Sequence, residues 1–277
     1  LLFGRFLVSL PYVNLAGIVA ENAEAASALI DRAVELADEL NVQYLELRHE
    51  TLLRHPSLNH YSTTKVSMRL PLPDTVEKLW DQLTAKVRNK VRKGEKQGFT
   101  VHWGGMELLA DFYDVFSRNM RDLGTPVFSP RLFTAILTEF PKAAELCVIR
   151  SAGRPLAGAL LVHGTGSTEV PSASSLRAFG SSNVNDWMYW QLLQRAVLQG
   201  QHTFDFGRTT VDSTTYVFKK KWGSKPVPFF WQYYVRRGDV TGMRIESGRY
   251  DRMIRIWQRL PVWLTRRIGP PIVRGIP

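Results

Sequence analysis

Cysteine is almost missing from this chain: one residue, Cys147, stands among 277, which rules out an internal disulfide. Its neighbours Leu146, Val148 and Ile149 make it a buried strand thiol rather than a nucleophile, and a reducing compartment suits it. Metal-ligand spacing is absent too. His49, His55 and His60 lie in a polar stretch with no cysteine near them, so no metal site is expected. Neither a Gly-x-Ser-x-Gly elbow nor a Walker loop occurs, which sets aside covalent serine chemistry and nucleotide hydrolysis. No apolar run reaches the ~18 uncharged residues of a membrane span. The apolar start at residues 1–10 is interrupted by Gly4 and Arg5, with no small-residue cleavage site after it, and so does not read as a signal peptide. There is no initiator Met, and the expectation is a cytoplasmic protein whose chain begins inside a longer one.

What is plentiful is positive charge. A formal net charge of +11 and a pI near 9.9 point to an anionic partner, with nucleic acid, acidic lipid and a phosphate-bearing substrate as the classes. Two stretches concentrate it. Residues 86–98 hold six cations against Glu95, and residues 236–277 hold ten arginines against Asp239, Glu246 and Asp251. A composition 44% hydrophobic and 11% aromatic supports a sizeable core, and the length suits two half-sized modules.

Periodicity predicts a strand or bent strand pair over residues 7–19, then a helix over 22–40 behind an Asn22 cap, with strands at 42–48 and 65–70. Pro71 and Pro73 break the last run, and Asp74 is the expected cap of a long helix. Val76, Leu79, Leu83, Val87 and Val91 give that helix one apolar stripe to near Gly98. A strand at 99–103 follows, then helices at 106–123 and 129–139, a hairpin (146–150 with 157–163), and strands at 168–174, 203–206 and 227–235 around a helix at 184–199. Two α/β modules in series, with meander strands before each crossover helix, is the pattern of a tandem acyltransferase fold. The expected division is 1–103, 104–240 and a basic amphipathic tail, 241–277. In that tail Tyr250, Met253, Ile254, Trp257, Leu260 and Leu264 share one helical face, while Arg249, Arg252, Arg255, Arg259 and Arg266 lie largely off it. It is read as touching either the inner membrane surface or the protein's own body.

Three motifs carry chemistry. In the basic helix end, Val87 and Val91 face the core, so Lys86, Lys90 and Lys93 form one strip and Arg88 and Arg92 another, either gripping phosphates or forming a solvated basic face. Phe204-Asp205-Phe206-Gly207-Arg208 lies at a strand exit, followed by a turn containing Tyr216, Phe218, Lys219 and Trp222. Lys219, held near Phe218 and Trp222, would present a desolvated charge to a developing oxyanion; the plainer reading pairs Asp205 with Arg208 structurally and lets the lysines snorkel. Asn185 and Trp190 belong to a helix start able to offer backbone amides to a phosphate, and Arg177-Ala-Phe-Gly180-Ser-Ser182 before it loosely echoes the coenzyme A pyrophosphate loop of acetyltransferases.

Together the Arg88-x-x-x-Arg92-Lys93-x-Glu95-Lys96-x-Gly98 helix end, the Phe204-to-Arg208 strand and the Phe218-Lys219-x-x-Trp222-Gly223 turn resemble the FemAB family, peptidyltransferase-like proteins. The start Ser9-Leu10-Pro11-Tyr12-Val13-Asn14 and the tail Trp257-Gln-Arg259-Leu260-Pro261 look like the FemAB-related subgroup associated with PEP-CTERM/exosortase systems, which accompanies exopolysaccharide gene clusters. The resemblance implies tandem GNAT-like (acyl-CoA N-acyltransferase) domains with mixed sheets flanked by helices, the first N-terminally incomplete. It implies a cleft between them and direct attack of an acceptor amine on an activated acyl donor, without a tightly bound cofactor. The donor is an aminoacyl-tRNA or an acyl-CoA, with a carrier-protein thioester also open, and the acceptor is a phosphate-bearing envelope precursor. Lys219 stands where such proteins carry the lysine of their Phe-Lys turn, so Lys219, Phe218 and Asp205 are the implied catalytic set. Arg88, Lys90, Arg92, Lys93, Arg208, Asn185, Trp190 and Tyr216 are the implied substrate contacts. A binding module without catalysis, for an anionic polymer or a membrane, is the competing reading.

Overall fold

The computed structural model describes residues 5–238 and 251–275; Arg249 and Tyr250 of the expected tail helix, with residues 1–4, lie outside them. The strands are β1 (Phe6–Val8), β2 (Tyr44–His49), β3 (His60–Ser62), β4 (Lys65–Pro71), β5 (Thr100–Gly104), β6 (Ala144–Ser151), β7 (Arg154–His163), β8 (Ser167–Ser175), β9 (Thr203–Thr210), β10 (Lys225–Pro228) and β11 (Phe230–Val235). The helices are α1 (Ala23–Glu39), α2 (Val76–Gln82), α3 (Ala85–Glu95), α4 (Leu109–Leu123), α5 (Pro130–Glu139), α6 (Val184–Leu198), α7 (Thr214–Lys220), α8 (Asp251–Trp257) and α9 (Val262–Val273). The strands form two mixed sheets, β1-β2-β11-β3 and β10-β4-β9-β8-β7-β6-β5. Within the seven-stranded sheet only β8 and β9 run parallel.

The sheets do not follow the order of the chain. β4 and β5 lie before or across the expected boundary at residues 103 and 104 yet pair with later strands in the large sheet, while β11 returns to pair with β2 and β3. A cut at 103/104 would therefore pass through hydrogen-bonded partners. The expected strand at 227–235 splits at Phe229, which is buried, and β10 and β11 on either side of it lie in different sheets.

Other departures have local causes. The expected strand at 7–19 stops at Val8, since Tyr12 takes φ 69° and the rest is a loop with one bridge, Ala16 to Arg48. The long helix over 76–98 divides in two. Leu83 turns extended (ψ 141°), and the Thr84 hydroxyl accepts from Val87 N at 3.4 Å to start α3 anew. Thr75, not Asp74, caps α2; Asp74 pairs with Lys78 at 2.8 Å. The tail breaks at Pro261 into α8 and α9. β3 and α7 were not anticipated.

The core lies on both faces of the large sheet. α6 is apolar nearly all round and buries Val184, Trp187, Met188, Leu192 and Leu193 under α2 and α3, as a central helix must. On the other face α4 and α5 pack Phe112, Phe116 and Phe133 against Leu146, Val148 and Leu160. Each such side chain contributes roughly 1.5–3 kcal/mol on burial. α3 approaches α6 at Gly94, where an added Cβ would stand 2.6 Å from Trp187 Cβ. Gly94→Ala is expected to destabilise by about 1–3 kcal/mol through overpacking, read as a lowered urea midpoint at unchanged m-value.

Candidate active site

The polar positions of β4 alternate with its apolar ones: Val66, Met68 and Leu70 are buried in the core, and Lys65, Ser67 and Arg69 point the other way. Asp205 on β9 meets that polar row. Its Oδ1 accepts from Ser67 Oγ and, at 2.7 Å, from Gly207 N, while its Oδ2 accepts from Arg69 Nε at 3.0 Å. The sequence reading places Asp205 among the catalytic groups, yet with three donors its geometry is that of a clamp. What it clamps is a bulge. Ser67 stands opposite Arg208 and Arg69 opposite Asp205, so β9 carries one residue more, and Gly207 takes φ 75°.

The bulge turns two successive carbonyls, of Gly207 and Arg208, toward α7, where Lys219 Nζ donates to both at 2.9 Å. Lys219 is buried, and burial brings its ammonium down to about 8; Arg208 pushes the same way, against Asp205 and Glu169. An ammonium has three N–H donors, and these two bonds leave one. The sequence reading places Lys219 beside Phe218 and Trp222. Because residues 214–220 are helical rather than a turn, the lysine over those rings is Lys221, at 4.0 Å from Phe218 and 5.7 Å from Trp222. Phe218 itself stands edge-on to Tyr189 at 5.0 Å, on the packing side of α7.

Pairing between β8 and β9 stops at Glu169 and Asp205, although β8 runs on to Ser175 and β9 to Thr210. Two parallel strands that part in mid-sheet leave an opening, and Gly207 and Lys219 stand just past the fork. Glu169 is at the fork itself. Its carboxylate accepts from Asn14 Nδ2 at 3.0 Å, and burial, then Asp205, raises its pKa despite Asn14, Arg69 and Lys219. Across the opening lies the smaller sheet, with Arg208 over the Trp231 ring at 5.0 Å and the buried Arg48 over it at 4.4 Å. Loss of hydration, then the nearby Arg48, lowers the pKa of the Arg208 guanidinium.

A second cationic group gathers at the first turn of α6. Asp186 pairs with Lys221 and, at 3.8 Å, with Lys90, and Lys86 is close enough with Lys90 to depress the Lys221 ammonium further after burial. Asn185 sits in that turn, and the 3₁₀ segment Arg177–Ser182 leads into it from β8. Arg92 and Lys93 do not join it as a pair with Lys90. Positions 90 and 92 are about 200° apart on a helix, and Arg92 lies over Trp80 at 5.4 Å. Lys93 is exposed and Arg88 half-buried on the same helix. Trp190 and Tyr216 are core residues rather than ligand contacts: Trp190 lies tilted against Trp80 at 4.9 Å, and both are buried in the main cluster. Among the described residues no His, Cys, Asp and Glu group has the form of a metal site.

Sequence reasoning missed Glu169, Ser67, Arg69 and Asn14. The signal for Ser67 and Arg69 was present, as the strict alternation of β4; for Glu169 and Asn14 it lay only in the tertiary fold.

Residues 82–220 match the model of a family described as acetyltransferase (GNAT) domain. A comparison with curated proteins found no match. Among solved structures the chain is similar to FemX, at 17% identity and a TM-score of 0.61 over 83% of this chain and 80% of that one. It is also similar to L-PGS from Bacillus licheniformis, at 14% identity and a TM-score of 0.57 over 89% of this chain and 79% of that one. At such identities the likeness is one of fold, and the fold is the α/β arrangement of two mixed sheets flanked by helices expected of tandem GNAT-like proteins. Since the family match spans half of the 277 residues, the chain belongs to the GNAT acetyltransferase-domain family.

Proposed function

We propose that this acyltransferase moves an acyl or aminoacyl group onto an amine of a cell-envelope or exopolysaccharide precursor, by direct attack in the opening between β8 and β9. The observation that carries the reading is the Lys219 ammonium, anchored by two carbonyls with one N–H unspent at the fork. That N–H is suited to the oxygen of a donor carbonyl as it becomes an oxyanion. Glu169, held by Asn14 and with a raised pKa, is suited to take the proton of the attacking ammonium. The amine then forms the amide bond as the donor's thioester or ester bond breaks. The proton on Glu169 passes to the leaving sulfur or ribose oxygen, and the second proton shed by the nitrogen as the amide forms is taken up by the freed carboxylate and released to solvent. Asp205 positions Lys219 through the bulge, and Arg208 with Trp231 offers a cationic wall to the acceptor.

The Lys86, Lys90 and Lys221 group at α6 is the natural seat for the phosphates of the donor, whether coenzyme A or the end of a tRNA. The basic helix end is thereby used through one strip only. The likeness of Ser9-Leu10-Pro11-Tyr12-Val13-Asn14 and Trp257-Gln-Arg259-Leu260-Pro261 to the FemAB-related subgroup supports a precursor from an exopolysaccharide pathway as acceptor.

The test is mass spectrometry of purified chain incubated with cell extract and, in separate arms, an acyl-CoA mixture and charged tRNA. A product that needs one donor identifies it; salt-sensitive binding without product in either arm returns the chain to the binding-module reading. Lys86→Glu with Lys90→Glu is expected to raise the donor KM on the order of tenfold with turnover nearly unchanged. An unaltered KM would make this strip a solvated face.

A further inference from the structure

The tail does not expose the face that its sequence suggests. Ile254 lies against Gly124, where an added Cβ would be 2.4 Å from Ile254 Cγ2, and Gln258 Nε2 donates to Asp122 O at 3.1 Å. Arg121 reaches back to Leu260 O at 3.1 Å, Thr265 is buried, and Arg266 Nε donates to Ser117 Oγ at 2.8 Å. Much of the face expected to be apolar, from Ile254 to Leu260, thus packs on α4 and its following loop, while Met253 of that face does not. What remains outside is Met253, Ile256 and Trp263, at 60%, 53% and 66% exposure. In the same stretch Arg252, Arg255, Arg259, Arg267 and Arg274 are also exposed, and Asp251 is the one acid between residues 251 and 275.

We infer that the outer face of α8 and α9 is a docking surface for an anionic lipid bilayer, with Met253, Ile256 and Trp263 entering the headgroup boundary and the arginines ringing them. A tryptophan, two flexible aliphatic chains and a halo of guanidinium groups match the polar-apolar gradient of such an interface. Charge decides between occupants. A second copy of the chain would bring the same arginines against these, which repel, and a nucleic acid would satisfy the arginines but leave Met253 and Ile256 against a phosphate backbone. The segment is also tied to the body of the fold by hydrogen bonds. Tyr12 OH donates to Val273 O at 2.8 Å in the last turn of α9, and two residues later Asn14 reaches Glu169. The surface stands on its own observations and does not depend on the catalytic reading.

The test is co-sedimentation of the full chain with phosphatidylcholine vesicles with and without phosphatidylglycerol, at low and high salt. Binding is expected to need phosphatidylglycerol and to weaken with salt, since each arginine near an anionic leaflet contributes about fivefold in partition. Met253→Ser, Ile256→Ser and Trp263→Ser together are expected to reduce binding on the order of 100-fold. Arg255→Glu with Arg259→Glu is expected to abolish the phosphatidylglycerol dependence. All five substitutions are at exposed positions, and unchanged melting curves confirm that folding is intact. Equal sedimentation of wild type and the triple variant overturns the inference, as does loss of a dimer or of tRNA binding in that variant with no vesicle binding by the wild type.

Discussion

Lys219→Met is expected to lower turnover by ~10²–10³, the usual cost of losing one oxyanion donor. The same substitution leaves the carbonyls of Gly207 and Arg208 without their shared donor, so stability falls as well. An unpaired buried carbonyl costs ~1–3 kcal/mol, partly offset here by removing a charge that burial disfavours. Activity must therefore be read well below the melting temperature, with the folded fraction checked by circular dichroism. Lys220→Met, one residue on and exposed, is the control and should be silent. The pH profile separates charge from packing. The Lys219 ammonium, depressed to about 8, is present at neutrality and lost as pH rises through that value, so wild-type turnover should decline above it. If Lys219→Met keeps full turnover in a verified transfer assay, or if Lys220→Met matches it, the assignment fails.

Glu169→Gln is expected to cost ~10²–10⁴ in turnover, the range for removing a general base. The amide keeps the size of the carboxylate, and its oxygen can still accept from Asn14, so the fold should hold. Burial and Asp205 raise the Glu169 pKa, which means that the basic form is lost at a higher pH than for an ordinary carboxylate. The acid limb of the wild-type profile should accordingly stand above the usual carboxylate range, and Glu169→Gln should remove it while the alkaline limb from Lys219 persists. An intact acid limb in that variant would move the base elsewhere.

How much of this was readable in advance follows from where each constraint lives. Burial against one neighbour imposes a period, so the stripe of α1, the Val87 and Val91 face of α3 and the apolar run of α6 are written locally. Breaks imposed by a single cap are weaker signals: Thr84 divides a helix whose stripe runs on unbroken through Leu83 and Val87. The partner of a strand is not encoded in the strand at all, which is why β11 gave no hint that it would return to β2. The site shows the same division. Lys219 is singled out by its aromatic-flanked motif and by the resemblance, whereas the bulge that anchors it arises from pairing between strands more than a hundred residues apart. Glu169 sits in a strand where Thr168 and Val170 are buried, and its alternation reads as an ordinary solvent-facing position. Only the tertiary fold, which brings Asn14 of the loop after β1 to its carboxylate at 3.0 Å, takes that acid partly out of solvent. Lys221 and Lys219 were exchanged in their surroundings for a simple reason: a turn and a helix aim residues two apart in different directions.

The crossing at Phe229 bears on how such a chain can change over generations. One residue separates a strand of the large sheet from a strand of the small one. A recombination event anywhere between β4 and β10 therefore delivers half-sheets that must find strangers at both edges, so neither half is a transferable cassette. Substitution at single positions leaves that strand exchange intact, whereas exchange of one sheet for another does not. Limited proteolysis carries the laboratory counterpart: a nick at residues 224–229 should loosen both sheets together and yield no stable fragment ending at either.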